Sequence, residues 1–203
     1  MPKTQLARAV EDFAANTYSP FLAHHCQRSF QLAVLFAAAN ELKVDLEVLY
    51  AGVLLHDLGL TLQFHSSSVR FEVASGDVAR TFVRENGMSP KRAEDVWDVA
   101  VLHGTGGIAA YKSAETFAAA SGIGADVTGL GLDGFRKDLF DRIMVTRPGF
   151  AKPFVDAIVT DLQDKPQVAN GTWMALIAEA HIAGFRPISI EALAFDHPYE
   201  QPS

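Results

Sequence analysis

The sequence predicts an all-α protein built as one domain. Apolar residues recur at three- and four-residue steps through nearly every segment. No period-2 run of useful length and no strand–helix–strand alternation interrupts them. Helix-opening pairs, Ser19-Pro20 and Ser89-Pro90, and a helix-closing pair, Asn86-Gly87, punctuate the pattern. A chain of 203 residues suits a single domain, and at that length it buries roughly 70% of its unfolded surface without disulfides or metals as staples. No linker, internal repeat or low-complexity tract divides it.

The elements follow in order. Leu6 to Ala15 is a short amphipathic start. Ser19 sets a capping hydroxyl before Pro20, whose missing N–H costs nothing in a first turn. The next helix carries Phe21, His25, Arg28, Leu32 and Leu35 along one face. Asn40 to Asp45 is a break, and Leu46 to Asp57 is a third helix ending near Gly59. Leu60 to Arg70 is a polar loop with a serine tip. Phe71 to Glu85 is helical, and a further helix runs from Pro90 toward His103, where Gly104, Gly106 and Gly107 break it. Ala114 to Val127, Arg136 to Thr146, Phe154 to Gln163 and Thr172 to Ala183 complete the set, before a loose tail, DHPYEQPS. The motif-bearing core is about 18–145, and 146–203 is a C-terminal helical extension.

Composition narrows the function. The chain is 49% hydrophobic and 20% charged, with 17 basic and 24 acidic residues and a net charge of −7. No basic run or stripe is present, which argues against nucleic acid or an anionic membrane as partner. Cys26 is the only cysteine, so no intrachain disulfide forms and a reducing, cytoplasmic setting is expected. The N-terminal stretch lacks the apolar core of a signal peptide. The longest strongly apolar run, Leu32 to Ala39, falls far short of the ~20 residues that span a bilayer. A small-molecule substrate is the expected partner, together with a second copy of the chain, because apolar residues continue through the C-terminal helices.

The stretch GVLLHDLGL, Gly52 to Leu60, places His56 and Asp57 where the pattern asks for core. Burying a carboxylate costs several kcal/mol unless something pairs with it. A neutral imidazole and a carboxylate side by side make half a site for a divalent metal. Further polar residues interrupt apolar faces: His25 in FLAHHCQRSF, His103 in VAVLHGTGG and Asp126 in GIGADVTGLG. Each sits near a helix end or a break, as in helical bundles that build a central metal site from facing helices. Singly, each has a plainer reading: a hydrogen-bonded core histidine, or for Asp126 a cap or turn residue. Jointly, one metal satisfies them all.

The pattern His25, His56-Asp57, Asp126 resembles the HD superfamily of metal-dependent phosphohydrolases. That resemblance covers about 18–145 and implies one divalent ion held by those four side chains inside an α-helical HD-domain bundle. HHCQRSF is similar to the H-S-x-R-S-Y stretch of the cyanamide-hydratase-like branch. HDLGLT and RFEVASGDVA resemble that branch's HD-L/I-G-L-T and F-E-V-x-G-A stretches, and VLHGTGGI and ADVTG follow in the right order. Cys26 stands where the branch often has Ser, and Ser75-Gly76-Asp77 displaces its Gly-Ala pair. Leu60 fills the place of the Lys found in many HD nucleotidases, and no GYP triplet occurs. Dinuclear members need extra histidines between the HD pair and the last Asp; only His65 and His103 are available there, and His65 lies in the serine-rich loop, so one metal is expected. Zinc is the first expectation, and Fe, Mn, Ni or Co also suit such ligands.

The resemblance implies a hydratase or lyase that adds metal-activated water to a small nitrile-like substrate, as in cyanamide to urea. The alternatives are a phosphohydrolase for a nucleotide or small phosphoester, and a non-catalytic binding or sensor module. Arg28 and Arg70 are the only cations near the motifs, fewer than phosphoryl transfer asks for. Catalytic candidates besides Asp57 are His103 as acid or base, Glu72 toward a ligating His or a substrate amine, Thr61 as a donor to substrate, and Arg28. His24 points about 100° away from His25 on the helix and is left out. Trp97 and Trp173 read as core or interface aromatics. The glycine-rich segment from Gly129 to Gly134 reads as a loop over the site, a candidate lid.

Overall fold

The computed structural model describes residues 1–132 and 149–199. Among these no strand occurs, and the chain is all-α as the sequence predicts. The helices are α1 (Gln5–Thr17), α2 (Pro20–Ala39), α3 (Leu46–Leu55), α4 (Phe71–Glu85), α5 (Pro90–Leu102), α6 (Gly106–Ala109), α7 (Ala114–Thr128), α8 (Ala151–Leu162), α9 (Met174–His181) and α10 (Ile190–Phe195). Two 3-10 turns join them, at Leu58–Leu60 and Pro166–Ala169. The 3-10 turns and the short α6 and α10 hold too few residues to show a helical period, so the sequence reading passes over them. The expected helix from Arg136 to Thr146, and Asp133-Gly134 of the glycine-rich segment, lie outside the described residues.

Helix starts depart from expectation in an instructive way. The Ser19 and Ser89 hydroxyls make no capping hydrogen bond. The prolines that follow set those two starts through their fixed φ. Side-chain caps occur at Thr4, Asp45, Ser113 and Ser189 instead. The Asp45 carboxylate accepts from the Glu47 and Val48 N–H groups and is gripped by Arg92 of α5 at 2.7 and 2.9 Å. α3 is thereby tied to α5 at its outer end.

The core forms around α3. Every residue from Val48 to Leu55 is buried, as befits a helix enclosed on all sides. α2, α5 and α7 pack against α3, and α2 and α7 run along each other. Their close approach needs Gly122: a Cβ there would lie 2.4 Å from the Ala33 nitrogen and 2.6 Å from the Ser29 carbonyl oxygen. A second apolar cluster joins Phe154, Ile158 and Leu162 of α8 and Met174 and Ala178 of α9 to Phe71 of α4.

Polar anchors hold that extension to the rest. Lys165 is fully buried, its ammonium donating to Asp161 at 2.8 Å and to the Val69 carbonyl at 2.9 Å. His65 sets one ring nitrogen against Asp161 and the other against Asp164, each at 3.1 Å. The serine-rich loop is therefore pinned to the extension by the residue the sequence places at its tip. No helix among the described residues is long and apolar enough to cross a membrane.

The Gly122 contact is with backbone on both sides, which cannot rotate away. Gly122→Ala should destabilise the protein by about 2 kcal/mol or more, in the range of core overpacking. Urea unfolding with an unchanged m-value and a lower midpoint is the expected reading, and an unchanged midpoint would refute the packing account.

Candidate metal centre

α3 delivers His56 and Asp57 to the middle of the protein because it stops at Leu55. His56 caps the helix with its ring nitrogen Nδ1 turned back onto the Val53 carbonyl at 2.7 Å. That contact makes Nδ1 the donor and leaves the lone pair on Nε2. His25, on the buried face of α2, is fixed in the same way: Nδ1 lies 2.7 Å from Asp126 Oδ2. The two Nε2 atoms then face each other at 3.3 Å. Asp57 stands beside both, with Oδ1 3.3 Å from His56 Nε2 and Oδ2 3.6 Å from His25 Nε2.

Left to themselves, these groups oppose one another. His25 and His56 are 0% exposed, Asp57 is 1% exposed, and Asp57 Oδ2 is buried without a hydrogen-bond partner. Burial, reinforced by the charges of His103 and His25, pushes the His56 imidazole well below the usual histidine range. Burial pushes the Asp57 carboxyl up, against the pull of His25 and His103 and aided by the charge of Glu72. Two lone pairs at van der Waals distance and an orphaned carboxylate oxygen form the donor set of a divalent cation. One ligand atom from each of His25, His56 and Asp57 lies within 4.8 Å of the others. The residues present fit a metal.

Asp126, the fourth ligand the sequence reading expects, meets His25 at Nδ1. It stands outside that group, on the far side of the His25 ring. The reason is Arg28, one helical turn beyond His25: Nε donates to Asp126 Oδ1 at 2.7 Å and Nη2 to Oδ2 at 2.8 Å. Both carboxylate oxygens are thus engaged. Burial raises the Asp126 carboxyl, but hydrogen bonds and charge from His25 and Arg28 outweigh it and hold it below the usual carboxylate range. A carboxylate behind a ligating imidazole fixes the tautomer and makes the ring a better donor to metal.

A family model described as HD domain matches residues 22–143. The chain belongs to the HD domain family. HD domains are typically metal-dependent hydrolases, and the matched stretch contains His25, His56, Asp57 and Asp126. No curated protein matches the chain.

A cavity of about 280 Å³ opens against this HD centre. His25, His56, Asp57 and His103 line it together with Phe71, Gly104, Ile123, Phe154 and Trp173. His103 packs edge-on against His56, with ring centroids 4.7 Å apart, and directs Nδ1 to the Ala100 carbonyl at 2.7 Å. Three other candidates do not line it. The Arg28 guanidinium serves Asp126. Glu72 is fully buried and paired with Arg70. The Thr61 hydroxyl donates to the Leu58 carbonyl at 2.6 Å and closes the 3-10 turn. His24 is exposed, as its position on α2 requires. Trp173, read from sequence as packing, is a pocket wall. Cys26 and Tyr18 form the back of the centre, with Cys26 Sγ 3.8 Å from His56 Nδ1. Burial, with the Asp57 charge adding to it, pushes the Cys26 thiol well above its usual range, so it packs as a neutral side chain.

Elemental analysis of the protein dialysed against zinc or manganese should find about one ion per chain, with a raised melting temperature. His56→Ala should lose the ion. Asp57→Asn should lose it too, yet melt higher than the wild type when both are metal-free at neutral pH. The Asp57 pKa in the fold lies above the unfolded value of about 3.9. Its protonated form is therefore favoured by folding, and the metal-free protein loses stability as pH rises from the unfolded pKa through the folded one. Asparagine removes that slope, and a metal-free variant less stable than wild type at pH 7 would refute the assignment.

Proposed function

We propose that this HD protein is a metal-dependent hydratase, or lyase, that adds water to a small uncharged nitrile-like molecule, with cyanamide to urea as the type reaction. The observation that carries the reading is the cavity. About 280 Å³ is small beside the space a nucleoside triphosphate occupies, and its described lining holds no lysine or arginine. Phosphoryl transfer asks for cationic clamps on developing charge. Among the described residues, the guanidiniums of Arg28 and Arg70 are engaged by Asp126 and Glu72.

His25, His56 and Asp57 would hold the ion, which when bound lowers the pKa of water and polarises the substrate. The residues of the chain do the rest. Asp126 and Arg28 keep the His25 proton on Nδ1, and the Val53 carbonyl does the same for His56. His103 has its Nδ1–H committed to Ala100, which leaves Nε2 to take the proton lost by water and return it to the substrate nitrogen. In balance, one O–H bond of water and one C–N π bond of the nitrile break while a C–O and an N–H bond form, and the resulting isourea passes its hydroxyl proton to the same nitrogen to give urea. The apolar walls, Phe71, Ile123 and Phe154, exclude bulk water.

Metal-loaded protein should release urea from cyanamide and no phosphate from a panel of nucleotides. His103→Gln should retain the ion and turn over about 10²–10⁴-fold more slowly, the span of general acid–base catalysis. Phosphate release without urea would replace the proposal with a phosphohydrolase. Bound metal with neither product would leave a binding module.

A further inference from the structure

The walls of the pocket come from two sources. The metal-binding triad and His103 lie within the stretch matched by the HD domain, 22–143, whereas Phe154 and Trp173 belong to the extension beyond it. Their rings lie nearly parallel, 10° between planes and 6.3 Å between centroids, and Phe71 meets the indole edge-on at 83°. A flat aromatic face thus stands on the pocket side that the matched stretch does not build.

The Trp173 indole N–H is buried and meets no acceptor among the described residues, and such a group in a native protein calls for an explanation beyond packing. Gly104 makes room for it: a Cβ at that residue would lie 2.6 Å from the indole nitrogen. Gly104 directly follows His103, so the aromatic wall and the histidine share a single stretch of backbone. The extension is also anchored, through buried Lys165 to the Val69 carbonyl and through Asp161 to His65. The only ionisable side chains in the described lining are His25, His56, Asp57 and His103.

We infer that Trp173 and Phe154 make the extension the specificity element of the centre, selecting uncharged substrates with a flat body that lies against their rings. This rests on the reading that substrate binds in the pocket beside the metal triad. It does not require that the reaction be hydration.

The test is calorimetric binding of two uncharged, unreactive amides, acetamide and benzamide, to the metal-loaded full chain. Benzamide should bind about tenfold or more tightly than acetamide, through its ring. Trp173→Ala should bring that ratio to about 2 or below with metal content unchanged, and Trp173→Phe should keep most of it. Gly104→Ala, whose methyl would meet the indole nitrogen at 2.6 Å and displace the ring, should lower the ratio with Trp173 itself left in the sequence, and it decides the matter with Trp173→Phe if Trp173→Ala does not fold. Equal affinities in the wild type, or an undiminished ratio in a metal-retaining Trp173→Ala or Gly104→Ala protein, would overturn the inference. A protein that makes no urea but keeps the ratio and its response to these variants would sink the proposed reaction and leave the specificity wall standing.

Discussion

Asp57 is enclosed, ionisable and short of a partner for one oxygen, and the arrangement around it follows from that condition. An unpaired charge in a protein interior costs several kcal/mol even after relaxation. Two histidines beside it offer lone pairs where proton donors would have relieved the carboxylate. Hydrogen bonding of both rings through Nδ1, to a carbonyl and to Asp126, keeps it so. Such a cluster is poor as stabilisation and suited to receiving a doubly charged cation.

The packing serves the same end at longer range. α2 and α7 approach until backbone meets backbone at Gly122. That closeness brings Asp126 of α7 within reach of Arg28 and His25 of α2. A larger residue at position 122 would part the helices and draw the carboxylate off the imidazole. The proton position on one histidine ring thus depends on the smallness of a residue a helical turn away.

Much of this was legible in the sequence. Helices longer than about ten residues announced themselves by period, and His25, His56 and Asp57 by breaking it with groups that a core does not tolerate alone. Asp126 was legible as a participant but not in its place. Spacing reports that a residue shares a helix face, not which side of an imidazole its carboxylate reaches, and the fork of Arg28 settles that in three dimensions. Phe154 and Trp173 gave no signal because aromatic residues at helical spacing look alike whether they pack a core or wall a cavity. The one hint was Gly104, placed directly after His103 where a helix ends. Ser19 and Ser89 misled because proline alone suffices to start those helices.

Lys165 has a consequence for how the molecule comes apart. Its ammonium is sealed between the end of α8 and the loop that follows the His56-Asp57 turn, and lifting the extension away would break its bond to the Val69 carbonyl and the contact of Asp161 with His65. Partial opening therefore gives up these polar contacts as well as the apolar packing of the second cluster. The wall that carries Phe154 and Trp173 and the loop that follows the His56-Asp57 turn are thereby fastened to one another.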